Sequence, residues 1–417
     1  MPPPRLTSIE LFTGAGGLAL GIADAGFHHR LLLEYNHDAC ETLRKNLGLF
    51  GDERCRIEQC DVKSFDFTPY EGVDLLAAGA PCQPFSIGGR HRAHKDERNL
   101  FPQVFRAVRE TRPRAVVIEN VKGLLRKNLA DFVAFIELQL RYPFVVPRDP
   151  LDPEGWKSHL RTLRRVHGGD EAAHEMHYDV NTVLLDAASF GVPQRRQRVF
   201  FVAIRRDVDA TWVPPRPTHS GAALRLAQVV NCAYWEKFGV DRRRFLTHPH
   251  AGKWLRESGT TEPWVTVRDA LVGLPTPIAG AESWGWPNHV GQPGARAYSG
   301  HTGSPLDAPG KTLKAGVHGV PGGENMLRRP NGTVRYFTVR EAARLQTFPD
   351  EYVFSGAWTE AMRQIGNAVP VRLAAAVALS IRICLARPSQ NARPQQRSPR
   401  PRESVQVEIP ELLIRSA

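Results

Sequence analysis

A chain of 417 residues predicts two or three domains and is long enough to bury large cores without covalent staples. Its six cysteines are scattered with no C-x-x-C pair, no secretory leader is recognisable, and no apolar run approaches the ~20 residues of a membrane span. These features argue against a disulfide scaffold or a spanning protein and predict a reducing cytoplasm, while 55 Lys and Arg against 43 Asp and Glu, a net +12, favour a polyanionic partner, nucleic acid first.

In chain order, Ser8 to Phe12 reads as a strand, Thr13 to Gly17 as a glycine turn, and Leu18 to Ala25 as a helix stopped by Gly26. Glycines let the backbone approach a ligand, and the helix start supplies free N–H donors. A second strand, Leu31 to Leu33, ends in Glu34, where a carboxylate can accept ribose hydroxyls. Gly14-x-Gly16-x-x-Ala19 also fits a dinucleotide fingerprint, so these residues leave a nicotinamide enzyme open. A third strand, Cys55 to Cys60, ends at Asp61, and a fourth, from Leu75, ends at Gly79 before Pro81-Cys82-Gln83-Pro84. The prolines hold Cys82 at a strand tip, where it is either a positioned thiol or a buried structural cysteine. Four strand-tip signals predict a doubly wound, mostly parallel α/β sheet covered by helices.

Ile87 to Lys95 is glycine-hinged and cationic, and reads as a mobile lid over a phosphate backbone or as a solvated loop. Asn99 to Thr111 and Leu124 to Leu140 read as helices. Between them Ala115 to Val121 is an apolar strand with Glu119 inside it, and so buried a carboxyl should have a raised pKa. Residues 143–178, broken by four prolines and ending in His167, His174 and His177, read as an irregular insertion. No metal is expected there or at His248 and His250, for lack of partner ligands.

Val180 to Asp186 and Val199 to Ile204 are strands. Alternation along the second predicts that Arg196 and Arg198 project together, either over a carbonyl or phosphate or from an exposed basic edge. From Pro214 to Arg335 the chain turns loop-rich with little helix signal, carrying five tryptophans and 15 Lys and Arg against 8 Asp and Glu. That composition suits groove contacts to DNA. Arg242 to Arg244 suit phosphates or a solvated face, and Lys311 to Asn325 an extended recognition loop. Thr338 to Pro349 is a capped helix, Gly366-Asn367 a tight turn returning toward the first glycine loop, and Val371 to Leu385 a helix. Ala386 to Arg402 has the composition of a disordered tail, followed by a short apolar end at Val405 to Ile414.

Six blocks, in order, resemble the bacterial cytosine-5 DNA methyltransferase family over nearly all of residues 6–385: Phe12 to Gly17, Pro81 to Gln83, Glu119 to Val121, Gln194 to Arg198, Arg340 to Pro349 and Gly366 to Pro370. The nicotinamide alternative falls with that resemblance. It implies a Rossmann-like core at 5–213 with the insertion at 143–178, a smaller loop- and strand-rich target-recognition domain at 214–354, a return to the core at 355–385, and a tail at 386–417. It implies catalysis by Cys82 as nucleophile, Glu119 as proton donor to the base, and Arg196 and Arg198 as its electrostatic hold. S-adenosylmethionine would be bound by Phe12, Gly14, Gly17, Glu34, Asp61, Pro81 and Asn367, with no metal. Double-stranded DNA would be met by Gln83, Ser86, Arg90, Arg92, Lys311 and Lys314. The resemblance further implies a monomer in a restriction–modification system, with an RNA cytosine methyltransferase or an inactive DNA-binding regulator as rivals.

Overall fold

The computed structural model describes residues 5–51, 54–81, 100–147, 155–169, 176–241, 248–299, 301–315 and 325–386. Seven strands form one sheet: β1 (Thr7–Leu11), β2 (His28–Glu34), β3 (Arg56–Gln59), β4 (Leu75–Ala78), β5 (Ala115–Val121), β6 (Tyr178–Asp186) and β7 (Gln197–Arg205), in the order β3-β2-β1-β4-β5-β7-β6. β3 through β5 run parallel, whereas β7 is antiparallel to both β5 and β6. The chain winds outward from β1 in one direction and from β4 in the other, so the order reverses between these two strands. A crevice opens beyond the carboxyl ends at such a reversal, and the Phe12–Gly17 and Pro81 turns both emerge there.

Strand alternation decides which helices cover which face. Ile9, Leu11, Leu76, Val116 and Ile118 point toward α3 (Phe101–Thr111), α4 (Ala130–Arg141) and α5 (Gly155–His167), where Phe105, Phe132, Phe135 and Leu163 complete one core. Leu75, Ala77, Val117, Phe200 and Val202 point the other way, toward α1 (Gly17–Asp24) and α12 (Val371–Ala386). These two helices touch so closely that a Cβ on Gly21 would lie 2.4 Å from the Ala374 Cβ, so only glycine fits. The stretch 358–386 is apolar enough to cross a membrane by composition, which corrects the sequence estimate, but its apolar side chains are divided between this core and another that takes Met362 and Ile365. α2 (His37–Lys45), capped by the Asn36 side chain, flanks the sheet.

Three sequence expectations change here. The 143–178 stretch contains α5, whose apolar positions Trp156, Leu160 and Leu163 keep helical spacing; proline on one side and histidines along it hid the pattern. The segment after Pro214 is not helix-poor: it holds the short helices α6 (Gly221–Arg225), α7 (Ala233–Glu236), α8 (Ala251–Ser258) and α9 (Val267–Leu271), together with strands of two or three residues. Its small cluster of Leu224, Ala227 and Tyr234 is separate, but Leu313, Leu327 and Phe337 join Ala15, Leu20 and Leu43 of the sheet domain. Finally, Gly366 and Asn367 form no free turn. They end α11 (Trp358–Asn367), which follows α10 (Val339–Leu345), the helix opened by the Thr338–Glu341 capping box.

Candidate active site

At the end of β1 the chain turns through Phe12, Gly14 and Gly16, all with positive φ. The Glu34 carboxylate at the β2 tip accepts from Gly14 N at 2.8 Å and from Asn36 N at 2.8 Å, which ties the glycine loop to the next strand. Asp61, past the β3 tip, accepts from Lys63 N at 2.9 Å and is exposed. A Cβ on Gly17 would lie 2.3 Å from Val369 O, so the start of α1 is covered by the turn after α11 and tolerates no side chain. That close approach is the return to the glycine loop that the sequence suggested. Asn367 is exposed on the helix end beside it. Tyr35, 75% exposed directly after Glu34, was not singled out from sequence; an aromatic next to a strand-tip carboxylate was the available signal.

On the other side of the reversal, Glu119 is 7% exposed inside β5, where it pairs across to Phe200 of β7. Arg198, opposite Val121, brings its Nε to 2.7 Å from Glu119 Oε1. This is an ion-pair contact by distance, since Oε1 receives no well-directed hydrogen bond. Burial pushes the Glu119 pKa up, and Arg198 and then Arg196 pull it back only in part, so the net shift is upward. Asn120 donates from Nδ2 to Ala80 O at 3.2 Å, pinning the turn that leads into Cys82 against the strand that carries Glu119.

Arg196 lies one residue before β7, and its charge acts on Glu119 together with that of Arg198. Its guanidinium, in a residue 1% exposed, donates to Leu313 O at 2.9 Å and Gly366 O at 2.8 Å, partners no local pattern could reveal. Gln194 beside it accepts from Leu313 N at 2.9 Å and donates to Gln346 Oε1 at 3.1 Å. Asn325 holds both backbone groups of Lys314, accepting from N at 3.0 Å and donating to O at 2.8 Å. A Cβ on Gly366 would lie 2.4 Å from Ala315 N, so the 310–315 segment rests directly on the end of α11. Lys314 is exposed there, and Lys311 donates from Nζ to Thr302 Oγ1 at 3.0 Å. Cys82, Gln83, Ser86, Arg90 and Arg92, the cationic 87–95 stretch, Arg242 to Arg244, most of the 311–325 loop and the tail lie outside the described residues.

The family described as "C-5 cytosine-specific DNA methylase" matches residues 6–140, 168–242 and 280–382, well over half of the chain. The stretches between the matches hold α5 and, further on, α8 and α9. Type II methyltransferase M.Eco47II of Escherichia coli is 30% identical over 396 residues, 90% of this chain and 78% of that protein. Type II methyltransferase M.NgoMIV of Neisseria gonorrhoeae is 30% identical over 382 residues, 90% of this chain and 97% of that one. In structure, the chain is similar to an E. coli prophage-encoded protein assigned as a DNA modification methyltransferase (TM-score 0.54, 22% identity, 92% of this chain and 100% of that one). It is also similar to the Dnmt2 methyltransferase of S. pombe (TM-score 0.50, 17% identity, 91% and 98%). Both likenesses bear on the fold, a mostly parallel sheet with helices on its faces. The chain belongs to the C-5 cytosine-specific DNA methylase family and is a DNA (cytosine-5-)-methyltransferase.

Proposed function

We propose that this enzyme transfers a methyl group from S-adenosylmethionine to carbon 5 of a cytosine turned out of duplex DNA, as the modification arm of a restriction–modification system, acting as a monomer in the bacterial cytoplasm. Carbon 5 is a poor nucleophile while the ring is aromatic. The Cys82 thiolate adds to carbon 6 and makes carbon 5 enamine-like. A free thiol has a pKa of ~8.5, and cationic neighbours favour the thiolate. Glu119, whose pKa burial raises, serves as the proton donor to ring N3 and takes up the charge that develops as sulfur attacks. Arg198 holds the base carbonyl, and Arg196 braces it through the recognition segment. Loss of the carbon 5 proton then expels Cys82. A base must leave the stack to be reached in this way, at a cost of a few kcal/mol.

When bound, the donor supplies a methyl group activated by a sulfonium. The residues at the reversal fit it better than they fit a dinucleotide. Gly14 N is already occupied by the Glu34 carboxylate and the start of α1 is covered by Val369, so the loop offers few donors to a pyrophosphate. What it offers is acceptors, Glu34 for the ribose hydroxyls and Asp61 for the adenine amino group, with the Phe12, Gly14, Gly17, Pro81 and Asn367 surfaces around them and the Tyr35 ring alongside. Residues 5–213 and 355–385 serve as the catalytic core in this reading and 214–354 as the target-recognition domain. Gln83, Ser86, Arg90, Arg92, Lys311 and Lys314 meet the DNA.

One observation carries the proposal: a buried, charge-paired carboxyl at the β5 tip, with the turn into Cys82 tied to the next residue. Bisulfite sequencing of DNA from cells expressing the chain tests it. Cytosines protected at one recurrent sequence, and unprotected with Cys82→Ala, are the expected result. No protection, or methyl transfer to transfer RNA in preference to duplex DNA, would overturn it.

A further inference from the structure

The segment after Pro214 carries a groove lined by none of the residues assigned above to donor, base or DNA. Two clefts, of about 250 and 370 Å³, meet at Leu306 and Arg329. The first is lined by an antiparallel hairpin, Met326–Arg328 with Val334–Tyr336, in which Leu327 stands opposite Arg335, and by Leu271, Leu274 and Pro277. Val272 and Ile278, beside these last, are exposed. Arg335 is spent on Glu341, donating to its Oε2 at 2.6 Å. Arg328 and Arg329 are exposed and have no side-chain partner among the described residues. An apolar trough edged by two unpaired cations fits an extended chain that is both apolar and acidic.

The chain itself ends in such a sequence. Glu403 to Ala417 has six Val, Ile or Leu among fifteen residues and three Glu against one Arg, in a protein of net +12. Val405, Val407 and Ile409 alternate with Gln406 and Glu408, so an extended chain shows one apolar and one polar side. The stretch before it has the opposite character: Arg387 to Arg402 holds five Arg, four Pro and no acid, and has nothing to place in an apolar trough. It serves as a tether. The nineteen steps from Ala386, the end of α12, to Val405 extend up to about 60 Å, whereas a globule of this size has a radius of gyration of about 21 Å, so the tether is comparable with the width of the molecule.

We infer that residues 403–417 dock into this groove of their own chain, with Val405, Val407 and Ile409 on Leu271, Leu274 and Leu327 and the glutamates toward Arg328 and Arg329. The docked end straps the far end of α12 to the segment after Pro214.

Hydrogen–deuterium exchange of the full chain without DNA, read by mass spectrometry on peptides from 403–417 and 271–277, tests this. Both peptides should exchange about tenfold faster in Ile409→Asp and in Arg329→Glu than in the wild type. A wild-type tail that exchanges as fast as the Ile409→Asp tail, or a tail that Arg329→Glu leaves unchanged, overturns the assignment. Protection that is lost on dilution makes a second copy the occupant, and protection of 271–277 that appears only with duplex DNA makes it nucleic acid; either result overturns docking within one chain. Should Arg329→Glu fail to fold, Ile409→Asp decides by itself, because the groove is unaltered there: faster exchange at 271–277 supports the inference, and unchanged exchange overturns it.

Discussion

Glu119 and Lys314 both serve the reaction proposed here, yet the chain fixes them by different means. Glu119 is held by the antiparallel ladder to β7, with Val117 and Ile118 buried beside it, so its position is a property of the sheet. Lys314 is held through both its backbone groups by the Asn325 carboxamide, on a segment that Gln194 and Arg196 clamp at Leu313. The same contrast runs through both regions. Strands of four to nine residues build the sheet, whereas strands of two or three residues and polar side chains reaching carbonyls build the segment after Pro214. A sheet spreads its stability over many backbone bonds; a region built on polar keys concentrates it in a few side chains. Recognition surfaces assembled in this way can change sequence without disturbing the chemistry.

The sharpest way to break the comparison is Arg340→Ala. Its guanidinium donates to Pro287 O at 3.1 Å, Pro349 O at 3.0 Å and Tyr352 O at 2.7 Å, joining the middle segment to the carboxyl-terminal helices. Denaturant unfolding should show a loss of about 4 kcal/mol, more than a single truncation at the exposed edge of the sheet produces. Glu119→Gln should lower kcat about 100-fold, roughly 3 kcal/mol of barrier, with DNA affinity near that of the wild type, because it removes a proton donor and leaves the recognition segment untouched. Steady-state kinetics with separate kcat and KM check this.

His29 sharpens the sheet side. Burial lowers its pKa from 6.5 to about 4. A histidine whose folded pKa lies below its unfolded value contributes stability that is complete above pH 6.5 and lost as pH falls toward 4. That is roughly 3 kcal/mol across the window. Parallel denaturation series should show wild type losing it and His29→Gln losing much less; equal slopes would place the acid sensitivity elsewhere. Smallest of all, Lys253→Ala removes an exposed pair with Glu257 at 3.6 Å and should change stability by less than ~0.5 kcal/mol.

The sheet was legible because its signals are local. A strand, a glycine turn and a helix start follow one another at Ser8 to Leu18, and Glu119 announces itself as a carboxyl in an apolar run. Glu10, buried in β1, carried the same signal four strands earlier in the chain and was passed over, hidden by the glycine block that follows it. Other features were not local at all. Gly366 looked like a turn residue, but it ends a helix and lacks a side chain because Ala315 packs on it. Arg196 acts on Glu119 with Arg198, but its guanidinium hydrogen bonds go to residues 117 and 170 positions away. The α5 helix was masked by the prolines before it. Sequence patterns report what neighbours in the chain do to one another, and the middle segment is held mainly by contacts between strangers.

The most direct test of the central claim is a denaturing gel of the enzyme with duplex DNA carrying 5-fluorocytosine at the target site, in the presence of S-adenosylmethionine. With fluorine in place of the departing proton, Cys82 stays bonded to carbon 6, so a complex that survives denaturation should form with the wild type and be absent with Cys82→Ala. Methyl transfer by the wild type with no trapped complex, or trapping that persists in Cys82→Ala, would contradict it.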